Sequence, residues 1–492
     1  MDNPAAGAAT LDRAACYRAL AAKDTRFDGV FFTGVKTTGI YCRPVCTVKT
    51  PRESSCQFFG SAAAAEAAGF RPCLRCRPEL APYALQQNLA HAVWQRIAGG
   101  ALNDGDLERL AREVGLSSRQ LRRVLLQHFG VTPIELAQTQ RLLFAKKLLQ
   151  ETSLPMAEVA YAAGFGSVRR FNASFSQRYG IAPTAIRRAV EPAAAGPAPR
   201  AALTLRLAYR PPFQWQRVVS YLAGRAIPGV EAVLEENGQQ AYMRSVRLGE
   251  LQGWLRVTHQ ARRAQLEVEA DAALAPLLMP LLSRVRAQFD LDANPAVIDA
   301  HLCRDPLLAE RIGRWPGLRV PGAFDAFELA VRAVLGQQVS VAGATTLSGR
   351  LVVRFGDAAV TPFAPLTHHF PRAETLAAAA EDIGAIGLPR ARAQTIAELA
   401  RFAAQGGLQM RPGICLDEAV ERLKSVRGIG DWTAHYVALR ALRFPDAFPA
   451  GDLGLQKAAA ADGERLTEKQ LAARAAAWSP WRGYAALALW MG

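Results

Sequence analysis

The sequence predicts a multidomain, mainly α-helical chain with α+β parts. Its 492 residues exceed what a single hydrophobic core organises. Half of them are hydrophobic and 21% are charged, which is globular composition. The third observation is a change of hydrophobic period along the chain. A cysteine-bearing stretch runs to about Pro78, and helical periodicity follows from Tyr83 to Arg188. The segment Glu191–Pro199 is rich in Pro and Ala, carries no core-forming residues and reads as a linker. Beyond it, Leu203–Leu207 and Gln265–Glu269 alternate apolar and polar residues as strands do, with helical patterns between them. From about Pro295 the pattern is helical, with turns at Gly336, Gly387 and Gly428–Gly430. The expected domains are therefore 1–80 (small, α/β), 83–190 (helical), the linker 191–200, 201–290 (α+β) and 295–492 (all-α).

Charge points toward a partner. The net charge is +16, and residues 1–190 carry +11 of it. A basic excess gathered in one part of a chain suits a polyanion, most often nucleic acid, although an alanine-rich, arginine-rich soluble protein would show the same excess. No stretch of about 18 apolar residues is present, so no membrane partner is expected. Met1–Leu20 lacks a basic region followed by an apolar one, and a cytoplasmic protein is expected. Thiols stay reduced there, which directs attention to the clustered cysteines rather than to disulfides.

Cys42, Cys46, Cys73 and Cys76 form C-x3-C and C-x2-C pairs separated by 26 residues. Two close pairs supply the four thiolates that Zn2+ prefers, one ion per site; four thiolates would also hold iron. Spacing leaves open whether such a site is structural or reactive. Thr37–Cys46 together with Ala68–Cys76 resembles the N-terminal domain of Ada over about 70 residues. The resemblance implies that Cys42 is both a zinc ligand and the acceptor of a methyl group from a DNA methylphosphotriester. Loss of one thiolate charge would then tighten promoter binding.

Asp106–Arg123 reads as helix, glycine turn at Gly115, serine caps and a basic second helix, and Met156–Phe171 repeats it about 49 residues on. Ser117, Ser118 and Ser167 are the expected N-caps. The two copies end in Phe-Gly-Val-Thr-Pro133 and Tyr-Gly-Ile-Ala-Pro183, and together they resemble the AraC-type double helix-turn-helix. Arg119, Arg122, Arg169 and Arg170 are candidates for DNA contact; any one of them would equally suit a solvated face.

In the C-terminal half, Gly428 and Gly430 bracket a tight turn between helices in Leu423–Ala434, a place where backbone N–H groups meet a phosphate. With the surrounding Val426 and Trp432-Thr-Ala it resembles the helix-hairpin-helix of base-excision glycosylases. By itself Asp452, after Pro449 and Gly451, reads as a helix N-cap; within that frame it falls where the superfamily keeps its catalytic aspartate. Trp432 stands where bifunctional members carry a Schiff-base lysine, and neither Lys424 nor Lys457 occupies that position, which implies a monofunctional enzyme. Tyr209–Trp215, Pro321–Ala330, Leu335–Val341 and Pro480–Tyr484 resemble AlkA across 201–492. That resemblance implies an aromatic base pocket of Tyr221, Trp432, Tyr436 and Trp490, and DNA contacts at Gln338, Gly428, Gly430 and Thr433, with Gln338 as the wedge in the base stack. Arg427, in place of the usual proline, and Leu453, in place of an aromatic, depart from the pattern.

The expected function is DNA alkylation repair by nucleotide flipping and excision of 3-methyladenine-type purines, joined to a methyl-sensing transcriptional activator. Double-stranded DNA is the expected partner, RNA polymerase a further one, and the chain is expected to act as a monomer. A regulator that binds damage without excising it is the competing class. No Pro-Cys-His-Arg signature is present, so direct repair of O6-methylguanine is not expected.

Overall fold

The computed structural model describes residues 12–81, 89–189, 202–236, 238–411, 413–460 and 464–491. The expected linker Glu191–Pro199 lies outside them. The chain divides into two compact units.

The first unit runs through the described residues up to Arg210 and adds Ala275–Ser283 and Arg411–Gly413. It opens with α1 (Arg13–Ala21), followed by strands β1 (Phe32–Val35), β2 (Ile40–Cys42) and β3 (Cys56–Phe59), then α2 (Ala62–Ala67) and β4 (Arg71–Pro72). The sheet order is β3-β1-β2-β4; β1 pairs antiparallel with both neighbours, while β2 and β4 run parallel. Seven helices follow: α3 (Leu89–Ala98), α4 (Leu107–Glu113), α5 (Ser118–Phe129), α6 (Pro133–Glu151), α7 (Met156–Ala162), α8 (Val168–Tyr179) and α9 (Pro183–Ala189).

The repeat seen in the sequence is a repeat of packing. Leu121, Leu125 and Phe129 are buried on α5, and Phe171, Phe175 and Tyr179 take the same i, i+4, i+8 positions on α8. Ser117 caps α5 in a reciprocal box with Gln120, and Ser167 caps α8 through Arg170 N. Ser118 is not a cap: it is the first residue of α5, because only the preceding serine has extended backbone and an Oγ facing the free amides. Gly115 and Gly164 turn the chain with φ of +69° and +81°, a conformation side chains rarely adopt.

Strand β5 (Ala202–Ala208), read from the sequence as the start of the α+β part, counts with this first unit. The reason is local: Lys147 Nζ donates to the Arg206 carbonyl, and Arg206 N donates to Glu151 Oε2 at 3.0 Å, both from the end of α6.

The second unit contains Pro211–Leu274, Arg284–Met410 and the described residues from Ile414 onward. After α10 (Trp215–Ala223), strands β6 (Glu231–Glu236), β7 (Gln239–Leu248), β8 (Leu251–Gln260) and β9 (Gln265–Asp271) pair in sequence order as an antiparallel meander. Helix α11 (Leu278–Gln288), whose first six residues count with the first unit, is followed by α12 (Pro295–Leu302), α13 (Pro306–Arg314), α14 (Ala326–Leu335), α15 (Val341–Phe355), α16 (Ala373–Ala378), α17 (Ala380–Gly384) and α18 (Arg390–Ala404). The chain closes with α19 (Leu416–Lys424), α20 (Asp431–Arg440), α21 (Leu453–Ala458), α22 (Glu468–Ala475) and α23 (Arg482–Met491). Helix α14 is buried from Leu329 to its end at Leu335 and lies against α18 and α20. It is the central post on which the site below is built. No described helix is long and apolar enough to cross a membrane.

Candidate functional site

The four cysteines meet through the sheet. Parallel pairing of β2 with β4 sets Tyr41 opposite Pro72, so Cys42 at the end of one strand lies beside Cys73 just past the other. Cys73 N donates to the Tyr41 carbonyl at 3.0 Å and fixes that junction. All four Sγ atoms lie within 4.8 Å of one another. A tetrahedral zinc with Zn–S bonds of about 2.3 Å needs S···S edges of about 3.8 Å, so the donor set fits one ion. Backbone amides point at the sulfurs, Arg43 N toward Cys76 Sγ and Cys76 N toward Cys73 Sγ, as suits thiolates. Arg43 also anchors the cluster from behind: its guanidinium bonds both carboxylate oxygens of the buried Asp28 and the Cys76 carbonyl. Cys42, Cys46 and Cys73 are buried, and Cys76 is the most accessible of the four. Arg119, Arg122, Arg169 and Arg170 are all exposed on α5 and α8.

In the second unit, α20 carries two side chains into one cavity of about 340 Å³. Trp432 and Tyr436, one turn apart, stack face to face at 5.2 Å with an 8° interplanar angle. Trp490 from α23 meets Tyr436 edge-on at 6.4 Å, and Tyr221 from α10 completes the expected aromatic set. Asp452 sits among them. Its Oδ1 accepts Leu455 N at 2.9 Å, the N-cap bond of α21, and Trp490 Nε1 at 3.2 Å; its Oδ2 accepts Trp432 Nε1 at 2.9 Å. The cap expected of Asp452 is present, and the cap bond orients a carboxylate that borders the cavity.

The hairpin lies next to this cavity. Gly428 has φ +89°, and a Cβ there would stand 2.1 Å from Thr395 Oγ1, so the turn closes only on glycine. Gly430 is the N-cap of α20 and is exposed. Thr433, expected at the DNA face, has its side chain buried, and its hydroxyl accepts Gln337 Nε2 at 3.1 Å. The same nitrogen donates to the Gly428 carbonyl at 3.0 Å. Gln337 therefore ties the hairpin to α14, while its neighbour Gln338 is exposed with φ +57°. Lys424 is held by Asp431 at 2.9 Å, away from Asp452.

Sequence reasoning missed three arginines on the cavity side: Arg225, Arg332 and Arg440. Arg440 is buried and donates to Tyr436 Oη at 2.6 Å and to the Pro321 and Gly322 carbonyls. Its place was readable in the helical spacing, since Trp432, Tyr436 and Arg440 fall at i, i+4 and i+8.

Family models match four stretches of the chain: the metal-binding domain of Ada over residues 15–79, a helix-turn-helix domain over 110–189, the AlkA N-terminal domain over 204–325 and the HhH-GPD superfamily of base-excision DNA repair proteins over 331–482. Fold and sites thus define a DNA-repair glycosylase of the helix-hairpin-helix superfamily joined to a zinc-binding, DNA-binding regulatory half. The Mycobacterium tuberculosis (strain CDC 1551 / Oshkosh) "Probable bifunctional transcriptional activator/DNA repair enzyme AlkA" is 40% identical over 96% of this chain and 95% of its own length. The chain belongs to this family of bifunctional transcriptional activator/DNA repair enzymes. The Escherichia coli (strain K12) DNA-3-methyladenine glycosylase 2 is 36% identical, over 58% of this chain and 95% of its own. A 3-methyladenine DNA-glycosylase from Archaeoglobus fulgidus shares the fold, with a TM-score of 0.50 at 23% identity over 58% of this chain and 97% of that one.

Proposed function

We propose that the Asp452 pocket releases alkylated purines of the 3-methyladenine type from flipped nucleotides, and that Cys42 removes methyl groups from DNA phosphotriesters. The observation that carries the first reading is the carboxylate of Asp452 fixed by two indoles and a backbone amide at the edge of an aromatic cavity. An alkylated purine is electron-poor and cationic, so the Trp432, Tyr436 and Trp490 rings favour it over normal bases. As the glycosidic bond breaks, positive charge develops at C1′, and a preorganised carboxylate stabilises it and orients the attacking water. With Trp432 in the lysine position, no side chain stands ready to form a Schiff base with the sugar, and the abasic strand stays uncut. Gln338, exposed at the turn before α15, fills the gap left in the base stack, and the amides about Gly428 and Gly430 hold the phosphate.

Asp452→Asn should lower release of 3-methyladenine from duplex DNA by roughly a hundredfold or more in single-turnover assays. Unchanged release in the variant would remove Asp452 from the chemistry; strand cleavage by the wild type would refute the monofunctional reading.

In the first unit, zinc bound by Cys42, Cys46, Cys73 and Cys76 keeps the sulfurs as thiolates near neutral pH. Cys42 Sγ attacks the methyl carbon in line; the S–C bond forms, the C–O bond breaks, and a phosphodiester anion leaves. The thioether is stable, so the capture is stoichiometric. The lost charge lowers repulsion from DNA and strengthens promoter binding through Arg119, Arg122, Arg169 and Arg170. The domain limits expected from the sequence, 1–80, 83–190, 201–290 and 295–492, divide these tasks, and a monomer that recruits RNA polymerase suffices for them. Peptide mapping after incubation with methylphosphotriester DNA should find one added methyl on Cys42. Finding it on the more accessible Cys76 would overturn the assignment.

A further inference from the structure

A cationic base entering the Asp452 pocket meets more positive than negative charge. Arg225 and Arg332 line the cavity and Arg440 stands behind it, against the single carboxylate of Asp452. Arg440 cannot swing away: its Nε bonds the Pro321 carbonyl at 2.6 Å and its Nη2 the Gly322 carbonyl at 3.2 Å. Its guanidinium lies 4.9 Å from the Tyr221 ring centre and 5.4 Å from that of Tyr436. Arg225 covers the Tyr221 ring at 3.8 Å. What faces this cationic wall from inside the pocket is the Tyr436 hydroxyl, which accepts Arg440 Nη1 at 2.6 Å while its ring stacks on Trp432.

The groups around Tyr436 come from several elements: Tyr221 and Arg225 from α10 and the turn after it, Arg332 from α14, Asp452 at the start of α21, and Arg440 on its own helix, with Glu231 of β6 behind Arg440. Burial pushes the Tyr436 phenol up, but Arg440 and then Arg225 outweigh it and bring it down to about 8. Tyr221 goes the other way, with burial pushing it up to about 12 against the pull of Arg440. One of two neighbouring phenols is therefore set to lose its proton first.

We propose that Tyr436, held by Arg440, is the charge selector of the pocket: as phenolate it balances the arginine wall and favours bases with a fixed positive charge over neutral ones. Arg440 is then a positioning residue acting through Tyr436. The inference rests on the reading of the Asp452 cavity as the base site. It also turns a cavity whose net charge would oppose a cationic base into one that selects it, with the phenol proton released to solvent.

The test uses the full chain and duplex DNA carrying either 3-methyladenine, a fixed cation, or 1,N6-ethenoadenine, neutral throughout the range. Single-turnover release is followed from about pH 6.5 to about pH 9, with uncatalysed release subtracted. The cation-to-neutral rate ratio should rise roughly tenfold with a midpoint near 8 in the wild type, and should be flat in Tyr436→Phe. A flat ratio in the wild type, or the same rise in Tyr436→Phe, would overturn the proposal. A second readout needs no turnover: the 295 nm tyrosinate absorbance of wild type minus Tyr436→Phe should titrate near 8. Absence of any such difference below about pH 9 would also overturn it. Asp452→Asn separates the two readings: release persisting there refutes the base-site assignment, whatever the ratio does.

Discussion

Single residues in this protein combine a local structural duty with a place in the proposed site. Asp452 caps α21 and borders the pocket with the same carboxylate, so the cap that the sequence suggests stands where the proposed catalytic group would be needed. Gly428 is the stricter case. Its left-handed backbone and the Thr395 hydroxyl beneath it leave no room for a methyl group. Gly428→Ala should cost about 1–3 kcal/mol of second-unit stability, read by thermal unfolding, and weaken binding to abasic DNA in the same variant. Retained stability and affinity together would show that the turn relaxes freely. The glycine was legible from its motif; Thr395, 33 residues earlier on α18, was not, because nothing local in a sequence announces which side chain will lie under a turn. Thr433 shows the converse, a motif residue turned inward to hold Gln337.

At the level of elements, helical periodicity and caps were the readable part. The two basic helices, their serine caps and their glycine turns recur in the structure where the sequence repeats, since each depends on neighbours within a few residues. Ser117 contributes most, because its box with Gln120 satisfies amides in both directions. Ser117→Ala should destabilise the first unit by about 1 kcal/mol, with a correspondingly lower midpoint in denaturant. Its effect should exceed that of Ser167→Ala, whose cap lacks the reciprocal bond; equal losses would show that the box adds nothing. Less legible was the membership of β5. Composition marks Glu191–Pro199 as the break, yet Lys147 and Glu151 of α6 bind the backbone of Arg206 beyond it. The aromatic pocket likewise draws Tyr221 from α10 and Trp490 from α23, a tertiary meeting that only the family resemblance could foreshadow.

For the whole molecule, pH acts through buried and half-buried imidazoles in both units. Burial holds His91 of α3, His259 of β8 and His369 down to about 4, against an ordinary value near 6.5. As pH falls through 6.5 the unfolded chain takes up these protons and the native one does not, so stability is lost between about 6.5 and 4. Each histidine contributes a slope of at most about 1.4 kcal/mol per pH unit. His91→Phe, beside Phe129 and Trp94, should flatten the acid limb for the first unit in equilibrium unfolding followed from pH 7 to pH 4; an unchanged limb would assign the loss elsewhere. The helix α6 sets a further whole-molecule property. Its 19 residues make a rod roughly 28 Å long that joins the first helix-turn-helix copy to the second in sequence. Should α5 and α8 both read DNA, this stiff connector would fix their spacing, and moving one of two promoter marks by half a helical turn should weaken binding in a gel-shift titration; unchanged binding would show that the connector sets no spacing.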